Sequence, residues 1–404
     1  MPLTIIHCWS APRSRSTALL YSFEARGEDT VALDEPLYRR WLQEKIGSGT
    51  SNNYGISRPY AEPFLKGVAP DDSDDDAWRW EREKQCFNER IYHSVKSLVD
   101  SGKGEGGCLF NKQMAKFAHL FNFETNWETN LNEEAAQWKD KCMKLISDNN
   151  IEISHRHLLL IRDPLGSLGS WMGKSGTVHA NNIHPDEVGI TQLVDVYSNV
   201  LGANMKYDKN EDAVVIDSDE LAANPRKSIE QLCIALGIDF REGMLQWERG
   251  MHKCDGPWSK WWYHDVWESC GWDVKDGHNN PRTQKYRTIP PILMPSLRMS
   301  IPGYNFLQTL TTSHKQRAIT TPPSGKLYED PRNEHVLVFV GRSQTQGRIL
   351  PREMASISPF DSSVQGGDAT WGKSCLFALF WLSINSLSIY LFMHNSQTRG
   401  CKSL

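Results

Sequence analysis

Two segments far apart in this sequence carry the residues best suited to grip a multiply charged anion. The first is Ser10-Ala11-Pro12-Arg13-Ser14-Arg15-Ser16-Thr17. Residues 3–9 before it read as a short apolar strand. Residues 14–25 read as a helix, with Ala18, Leu19, Tyr21, Ser22 and Phe23 on or near one face. A loop between strand and helix leaves the backbone N–H groups of the first helical turn without intrahelical partners, so they are free to face an anion. Arg13 and Arg15 add positive charge, and the hydroxyls of Ser14, Ser16 and Thr17 add donors. A nucleoside-triphosphate loop needs the pattern G-x-x-x-x-G-K-[ST]. The segment has neither Gly nor Lys, which disfavours an ATPase or kinase. Taken alone, it also reads as an ordinary helix start with surface arginines.

The second segment is Arg162-Asp163-Pro164, followed by Ser170. Residues 157–161 form a buried-strand pattern that ends on Arg162. Pro164 suits the first turn of a new helix, with Asp163 as its N-cap. A guanidinium at a strand end can grip a phosphate through two parallel N–H bonds, and Ser170 can add a hydroxyl. The plainer reading of Arg162 is a structural ion pair with Asp163 or a neighbour. Two separate phosphate grips suit a nucleotide with phosphates at both ends.

The elements around these segments alternate strand and helix. Residues 108–110 read as a strand, and 112–121 as a loop or helix. Residues 188–207 read as a long helix and 213–216 as a strand. Residues 225–236 read as a helix stopped by Gly237. This alternation predicts an α/β fold, a parallel sheet flanked by helices. Such sheets bind ligands at the carboxyl ends of their strands, where both arginine segments lie. Residues 71–76 are an acidic run, read as a solvated loop. With 45 Lys and Arg against 49 Asp and Glu, the net charge is -4, which argues against a nucleic-acid partner. The 9 cysteines form no C-x-x-C framework, so neither a disulfide scaffold nor a metal site is expected. No signal peptide is expected at the start, and the expected location is cytoplasmic.

On these motifs the sequence resembles the sulfotransferase family, which uses 3'-phosphoadenosine 5'-phosphosulfate (PAPS). Pro12 to Thr17 matches the family's P-[KR]-S-G-[ST]-T loop, which holds the 5'-phosphosulfate. Arg162 with Ser170 matches the motif that holds the 3'-phosphate. Asp219-Glu220-Leu221 and Asn224-Pro225 resemble the stretch before a late helix, and Asp255-Gly256-Pro257-Trp258 resembles a late loop near the nucleotide. The resemblance implies a P-loop-type, nucleotide-binding transferase fold over residues 1–308. It assigns cofactor binding to Arg13, Ser14, Arg15, Ser16, Thr17, Arg162 and Ser170, and transfer of sulfate to a hydroxyl or amine of a small-molecule acceptor. Arg15 departs from the family, standing where it usually has Gly, and the His used as base in cytosolic members has no clear counterpart. Asp34-Glu35-Pro36-Leu37-Tyr38 matches the Asp-Glu-Pro segment of microbial-type members, which makes Glu35 the candidate base beside Arg13 as the second catalytic residue. Asp34 reads as a loop or cap partner. Lys112 resembles a K-x-M segment that adds charge, or is a surface lysine. The aromatic stretch of Trp258, Trp261, Trp262, Tyr263, Trp267 and Trp272 lines a pocket or packs the core. A non-catalytic nucleotide-binding module, with Arg15 blocking transfer, stays open as an alternative.

Residues 309–327 read as a linker. Residues 328–371 resemble the opening of class IV aminotransferases, which use pyridoxal phosphate (PLP). This carries by residues 336–340, Gly347-Arg348-Ile349-Leu350-Pro351-Arg352 and Gln365-Gly366-Gly367-Asp368. A sulfotransferase-like front joined to such a segment resembles the plant branched-chain-amino-acid aminotransferase-like family. The match stops at Trp371. Lys373 and Lys402 are not in the context of a Schiff-base lysine, so neither PLP nor aminotransferase activity is expected in this chain. Residues 341–346 read as an insertion, and Gly372-Lys373-Ser374 as a splice donor read through. Residues 372–404 are accordingly expected to be an atypical, disordered or read-through tail. The apolar run 375–393 gives the alternative of a C-terminal membrane anchor, the one expected route to membrane contact.

Overall fold

A computed structural model describes residues 2–47, 66, 77–129, 133–174, 188–206, 213–272, 293–311, 327–329 and 335–337. Contacts group residues 1–341 as one unit and 342–404 as another, and the second lies outside the described residues. The expected insertion, the apolar run and the tail also lie outside them, as does the acidic run 71–76.

The core element is a parallel sheet of five strands: β1 (Leu3–Ser10), β2 (Thr30–Asp34), β3 (Cys108–Met114), β4 (Ile153–Ile161) and β5 (Val214–Asp217). Their spatial order is β2-β3-β1-β4-β5. The central strand β1 is buried from end to end, which is why its sequence runs apolar without strict alternation. Successive side chains still point to opposite faces. Ile6, Cys8, Cys108, Phe110, Leu158, Leu160 and Ile216 share one buried cluster. It is closed by helices α1 (Ser16–Glu24), through Leu19, Leu20 and Phe23, and Pro225–Leu236, through Ile229, Leu232 and Leu236. Phe23 of α1 stacks on Phe110 of β3, with ring centroids 3.9 Å apart. The opposite face carries His7, whose Nε2 lies 3.0 Å from Nδ1 of His155 and whose Nδ1 lies 3.2 Å from the amide nitrogen of Asn111. Burial, reinforced by His157 and His155, holds His7 well below the usual imidazole range, so it is neutral.

Several expectations shift at their edges. The helix after β1 begins at Ser16, because Arg13 and Arg15 both adopt positive φ. Residues 112–114, expected in a loop or helix, belong to β3, and a 3-10 helix (Ala115–Leu120) follows. Asn111, Lys112 and Gln113 are a buried polar run inside a strand, and that hid the strand from its apolar pattern. The helix Met294–Thr309 runs through Pro302 and takes in the first residue of the stretch read as a linker. The structure also places Pro164 at the start of a helix, Pro164–Lys174, with the Asp163 carboxylate accepting from Leu165 N at 2.9 Å. Gly237 ends the helix Pro225–Leu236 in the left-handed conformation, φ 71°. His335–Leu337 pairs antiparallel with Leu327–Glu329. Among the described residues, no helix is long and apolar enough to cross a membrane.

The order β2-β3-β1-β4-β5 has a consequence for ligands. The chain leaves β1 toward β2 on one side and leaves β4 toward β5 on the other. The carboxyl ends of β1 and β4 are therefore the place where connections diverge and a crevice opens. Phe110→Ala removes a fully buried ring between β3 and α1 and is expected to cost about 3–5 kcal/mol of stability. Urea denaturation measures this, and a loss under about 1 kcal/mol would contradict the packing described.

Candidate active site

The loop after β1 is held in a strained shape. Among the described residues, the non-glycine positions with positive φ are Arg13 (64°), Arg15 (61°), Glu35 (43°), Asn126 and Asn150. Asn tolerates this region, whereas Arg and Glu reach it at a cost. The three costly positions are all residues singled out from the sequence, and such strain concentrates at functional sites. The hydroxyl of Ser14 turns inward and donates to the Ala11 carbonyl at 2.6 Å, pinning the turn. Arg15 is the N-cap of α1 and supplies no side-chain cap. The first N–H groups of α1 therefore receive no side-chain cap from Arg15, and Ser16 is buried and Thr17 half-buried. Gly189, φ 79°, passes behind the loop, where a Cβ would lie 2.9 Å from Pro12 Cδ.

The corner after β4 meets this loop directly. Arg162 is buried, and its Nη1 donates to the Arg13 carbonyl at 2.7 Å. Arg13 Nε donates to Ser170 Oγ at 3.2 Å. Arg13, Arg162 and Ser170 are therefore brought together at the carboxyl ends of β1 and β4, although 149 and 157 positions separate Arg13 from its two partners. Gly166 makes room, since a Cβ there would lie 3.2 Å from Arg162 Nε. Burial, together with the like charges of Arg15 and Arg13, pushes Arg162 down to about 10, with Asp219 opposing. Arg162 Nε lies 3.4 Å from Asp219 Oδ1, and among the described residues the buried Ser167 Oγ and Ser218 Oγ have no hydrogen-bond partner. Buried donors left unmatched are costly, and those in this cleft fit an anionic ligand. The structure also settles where Arg15 points. Its guanidinium reaches the corner after β5 and donates to the Ser218 carbonyl at 3.0 Å and to the Asp219 carboxylate.

A second cluster lies at the carboxyl ends of β2 and β3. Lys112 Nζ, fully buried, donates to Asp34 Oδ1 at 2.7 Å, Glu35 Oε1 at 2.9 Å and the Tyr263 hydroxyl at 2.7 Å. The Tyr263 hydroxyl donates to Asp34, 2.8 Å from Oδ2, and accepts from Trp258 Nε1 at 3.2 Å. Gly256 N caps the same Asp34 oxygen at 3.0 Å. A Cβ on Gly256 would sit 2.3 Å from the Trp258 ring, so glycine lets that indole fold over the cluster. Burial works against the Lys112 cation, but Asp34 and Glu35 outweigh it and raise its pKa. Burial likewise raises Glu35, with Lys112 opposing and Asp34 adding to the rise. The two clusters are electrostatically continuous. Burial lowers the Arg13 pKa, and Asp265 and Tyr263 oppose that shift.

Sequence reasoning left out Asp34 as a site residue and read Tyr263 only as lining a pocket or packing the core, with no link to Lys112. Their signal was weak because the partners lie 78 and 151 positions from each other along the chain, through Lys112. Lys112 is not a surface lysine. Of the aromatic stretch, Trp258 and Trp272 are core residues, and Trp267 donates to Asp255 and Tyr21.

Comparisons with known proteins bear on these clusters. Residues 153–289 match the family model described as "Sulfotransferase domain". The match takes in β4, Arg162, Ser170, Asp219 and Tyr263, and begins after the β1 loop, Glu35 and Lys112. The chain is 32% identical over 373 residues to "Branched-chain-amino-acid aminotransferase-like protein 2" of Arabidopsis thaliana, covering 91% of this chain and 52% of that protein. "Branched-chain-amino-acid aminotransferase-like protein 1" of the same plant is 32% identical over 371 residues, with the same coverages. The chain thus spans about half the length of the curated relatives it matches. Among solved structures, it is similar to the sulfotransferase domain of the curacin biosynthetic pathway (18% identity, TM-score 0.37, 75% of this chain and 97% of that one). It is also similar to the sulfotransferase domain of the Synechococcus olefin synthase (15% identity, TM-score 0.36, 74% and 94%).

Two outcomes follow from the buried charges. Lys112→Met strands two carboxylates and is expected to cost about 3–5 kcal/mol in urea denaturation. A loss under about 1 kcal/mol would contradict the cluster. Burial pushes the Asp255 carboxyl up to about 6, above the value of about 4 for an unfolded Asp. Between these values the native state binds the extra proton, so stability falls as pH rises. Asp255→Asn is expected to flatten that fall between about pH 4 and pH 6. An unchanged slope in melting temperature against pH would contradict the assignment.

Proposed function

We propose that the chain binds PAPS in the cleft between the β1 loop and the β4 corner and transfers its sulfuryl group to a hydroxyl or amine acceptor. The observation that carries this is the meeting of Arg13, Arg162 and Ser170 at the carboxyl ends of β1 and β4, beside Ser167 and Ser218 hydroxyls that are buried and, among the described residues, unmatched. Arg162 and Ser170 would hold the 3'-phosphate through a guanidinium fork and a hydroxyl. The free amides at the start of α1, with Ser16, Thr17 and Arg13, would hold the 5' end. Ser14 serves by fixing the loop, and Arg15 completes it.

The chemistry proposed is in-line displacement. The acceptor oxygen or nitrogen bonds to sulfur as the bond from sulfur to the bridging phosphate oxygen breaks. Negative charge collects on that leaving oxygen, and Arg13 and the α1 amides stand ready to stabilise it without reorganising. The acceptor's proton goes to the Glu35 carboxylate. Burial raises Glu35 toward a pKa suited to a base, while Lys112 fixes its orientation through Oε1. Lys112 stays cationic and so does not compete for that proton.

Two other readings remain distinct. A non-catalytic nucleotide-binding module would share the cleft and lack turnover. The aminotransferase-like names belong to the relatives, and a class IV activity would require PLP and a Schiff-base lysine supplied by a longer product. An aldimine absorbance band on adding PLP would favour that reading.

Titration with adenosine 3',5'-bisphosphate, followed by calorimetry and by the rise in melting temperature, tests the proposal. Arg13→Ala and Arg162→Ala are each expected to weaken binding by about 10- to 100-fold. Glu35→Gln is expected to keep binding and lose sulfate transfer. No binding at saturating nucleotide would overturn the proposal, and normal turnover by Glu35→Gln would overturn the base assignment.

A further inference from the structure

Arg15 occupies a backbone position that favours glycine. Its φ is 61°, a region in which a side chain costs free energy and glycine does not. What the side chain gains in return is visible in the fold. Its Nη1 spans from the start of α1 to the corner after β5, bonding the Ser218 carbonyl and the Asp219 carboxylate. The same Asp219 Oδ1 lies 3.4 Å from Arg162 Nε. One carboxylate oxygen therefore serves two guanidiniums from two different corners, with a third, Arg13, bonded to the Arg162 side chain through its carbonyl.

Arg162 is held down by burial and by the like charges of Arg15 and Arg13. Asp217, just behind, has a carboxyl pushed up to about 6 by burial and by Asp219, and it accepts from the Tyr304 hydroxyl at 2.7 Å. Asp163 is turned to its own helix, accepting from Leu165 N. Asp219 is thus the carboxylate that meets both Arg15 and Arg162. Yet the Arg15–Asp219 pair is half-exposed, with side-chain exposures of 30% and 41%, and such pairs are weak. Arg162 Nε is buried and faces Asp219 at 3.4 Å, and among the described residues the buried Ser218 Oγ in the same corner has no hydrogen-bond partner. A phosphate dianion carries more charge than a carboxylate and offers three acceptor oxygens, enough to receive both guanidiniums at once.

We propose that Asp219 is a placeholder for the nucleotide's 3'-phosphate: it holds Arg15 and Arg162 while the phosphate is absent and gives them up when it arrives, making Arg15 a second arginine on that phosphate. The inference rests on the proposed function above. It deepens it by moving the Arg15 side chain from the 5' end to the 3' end and by giving Asp219 a competing role. Arg15 then confers preference for a nucleotide phosphorylated at the 3' position.

Calorimetric titration of the full chain with adenosine 3',5'-bisphosphate and with adenosine 5'-monophosphate tests this in three proteins. Asp219→Asn is expected to bind the bisphosphate about fivefold tighter and the monophosphate as the wild type does. Arg15→Gly is expected to bind the bisphosphate about tenfold more weakly and the monophosphate unchanged. Relief of the positive φ is expected to leave its unliganded melting temperature at or above that of the wild type, a combination that a purely structural role for Arg15 would not give. Bisphosphate binding by Asp219→Asn that is equal to wild type or weaker would overturn the inference alone. So would an equal gain for both nucleotides, which is the mark of a general charge effect. Failure of the wild type to bind the bisphosphate at all would overturn the proposed function, and the placeholder role with it.

Discussion

The hydrogen bond from Arg162 Nη1 to the Arg13 carbonyl, at 2.7 Å, is the contact on which the rest of the site depends. It ties the loop after β1 to the corner after β4, and it runs from a buried guanidinium that needs partners to a carbonyl in a strained turn. The return contact from Arg13 Nε to Ser170 Oγ closes the link. Neither contact could form without the strand order β2-β3-β1-β4-β5, which sets β1 directly beside β4 with their carboxyl ends level: Ser10 pairs with Leu160. Sheet topology thus decides which two corners meet, and the arginines make that meeting place positive.

The charge does not stop at the cleft. Arg13 faces the potential of Asp265 and Tyr263, and Tyr263 is bonded to both Lys112 and Asp34. A buried lysine shared by two carboxylates and a phenol is costly to desolvate and is held only by near-complete hydrogen bonding. That bonding draws on β2, β3 and the loop around Gly256. The strained Glu35, φ 43°, belongs to this cluster through its bond from Lys112. The strained positions Arg13, Arg15 and Glu35 and the buried Lys112–Asp34–Glu35 cluster thus gather at the carboxyl edge of one sheet, whose one face is packed with apolar side chains.

Much of this was legible in the sequence. The apolar run of β1, the Arg-Asp-Pro break after β4, Pro164 at a helix start and Gly237 at a helix end each signal through local chemistry, and the elements form where those signals fall. Lys112 was less legible, because Asn111-Lys112-Gln113 looks like a surface segment although all three are buried in β3. Asp34 resembled a loop or cap partner, Tyr263 an aromatic that lines a pocket or packs the core, and Asp219 part of the stretch before a late helix. Their roles arise from partners distant in sequence, which spacing cannot reveal. The direction of the Arg15 side chain was equally hidden. Only the positive φ at that position and the proximity of β5 decide that it spans to Asp219 and leaves the mouth of the loop.

The most direct test is a crystal structure of the chain with adenosine 3',5'-bisphosphate. The account predicts one phosphate on Arg162 and Ser170, and the other on the amides at the start of α1 beside Arg13. A nucleotide bound away from the β1–β4 edge, or one whose two phosphates do not divide between these corners, would contradict it.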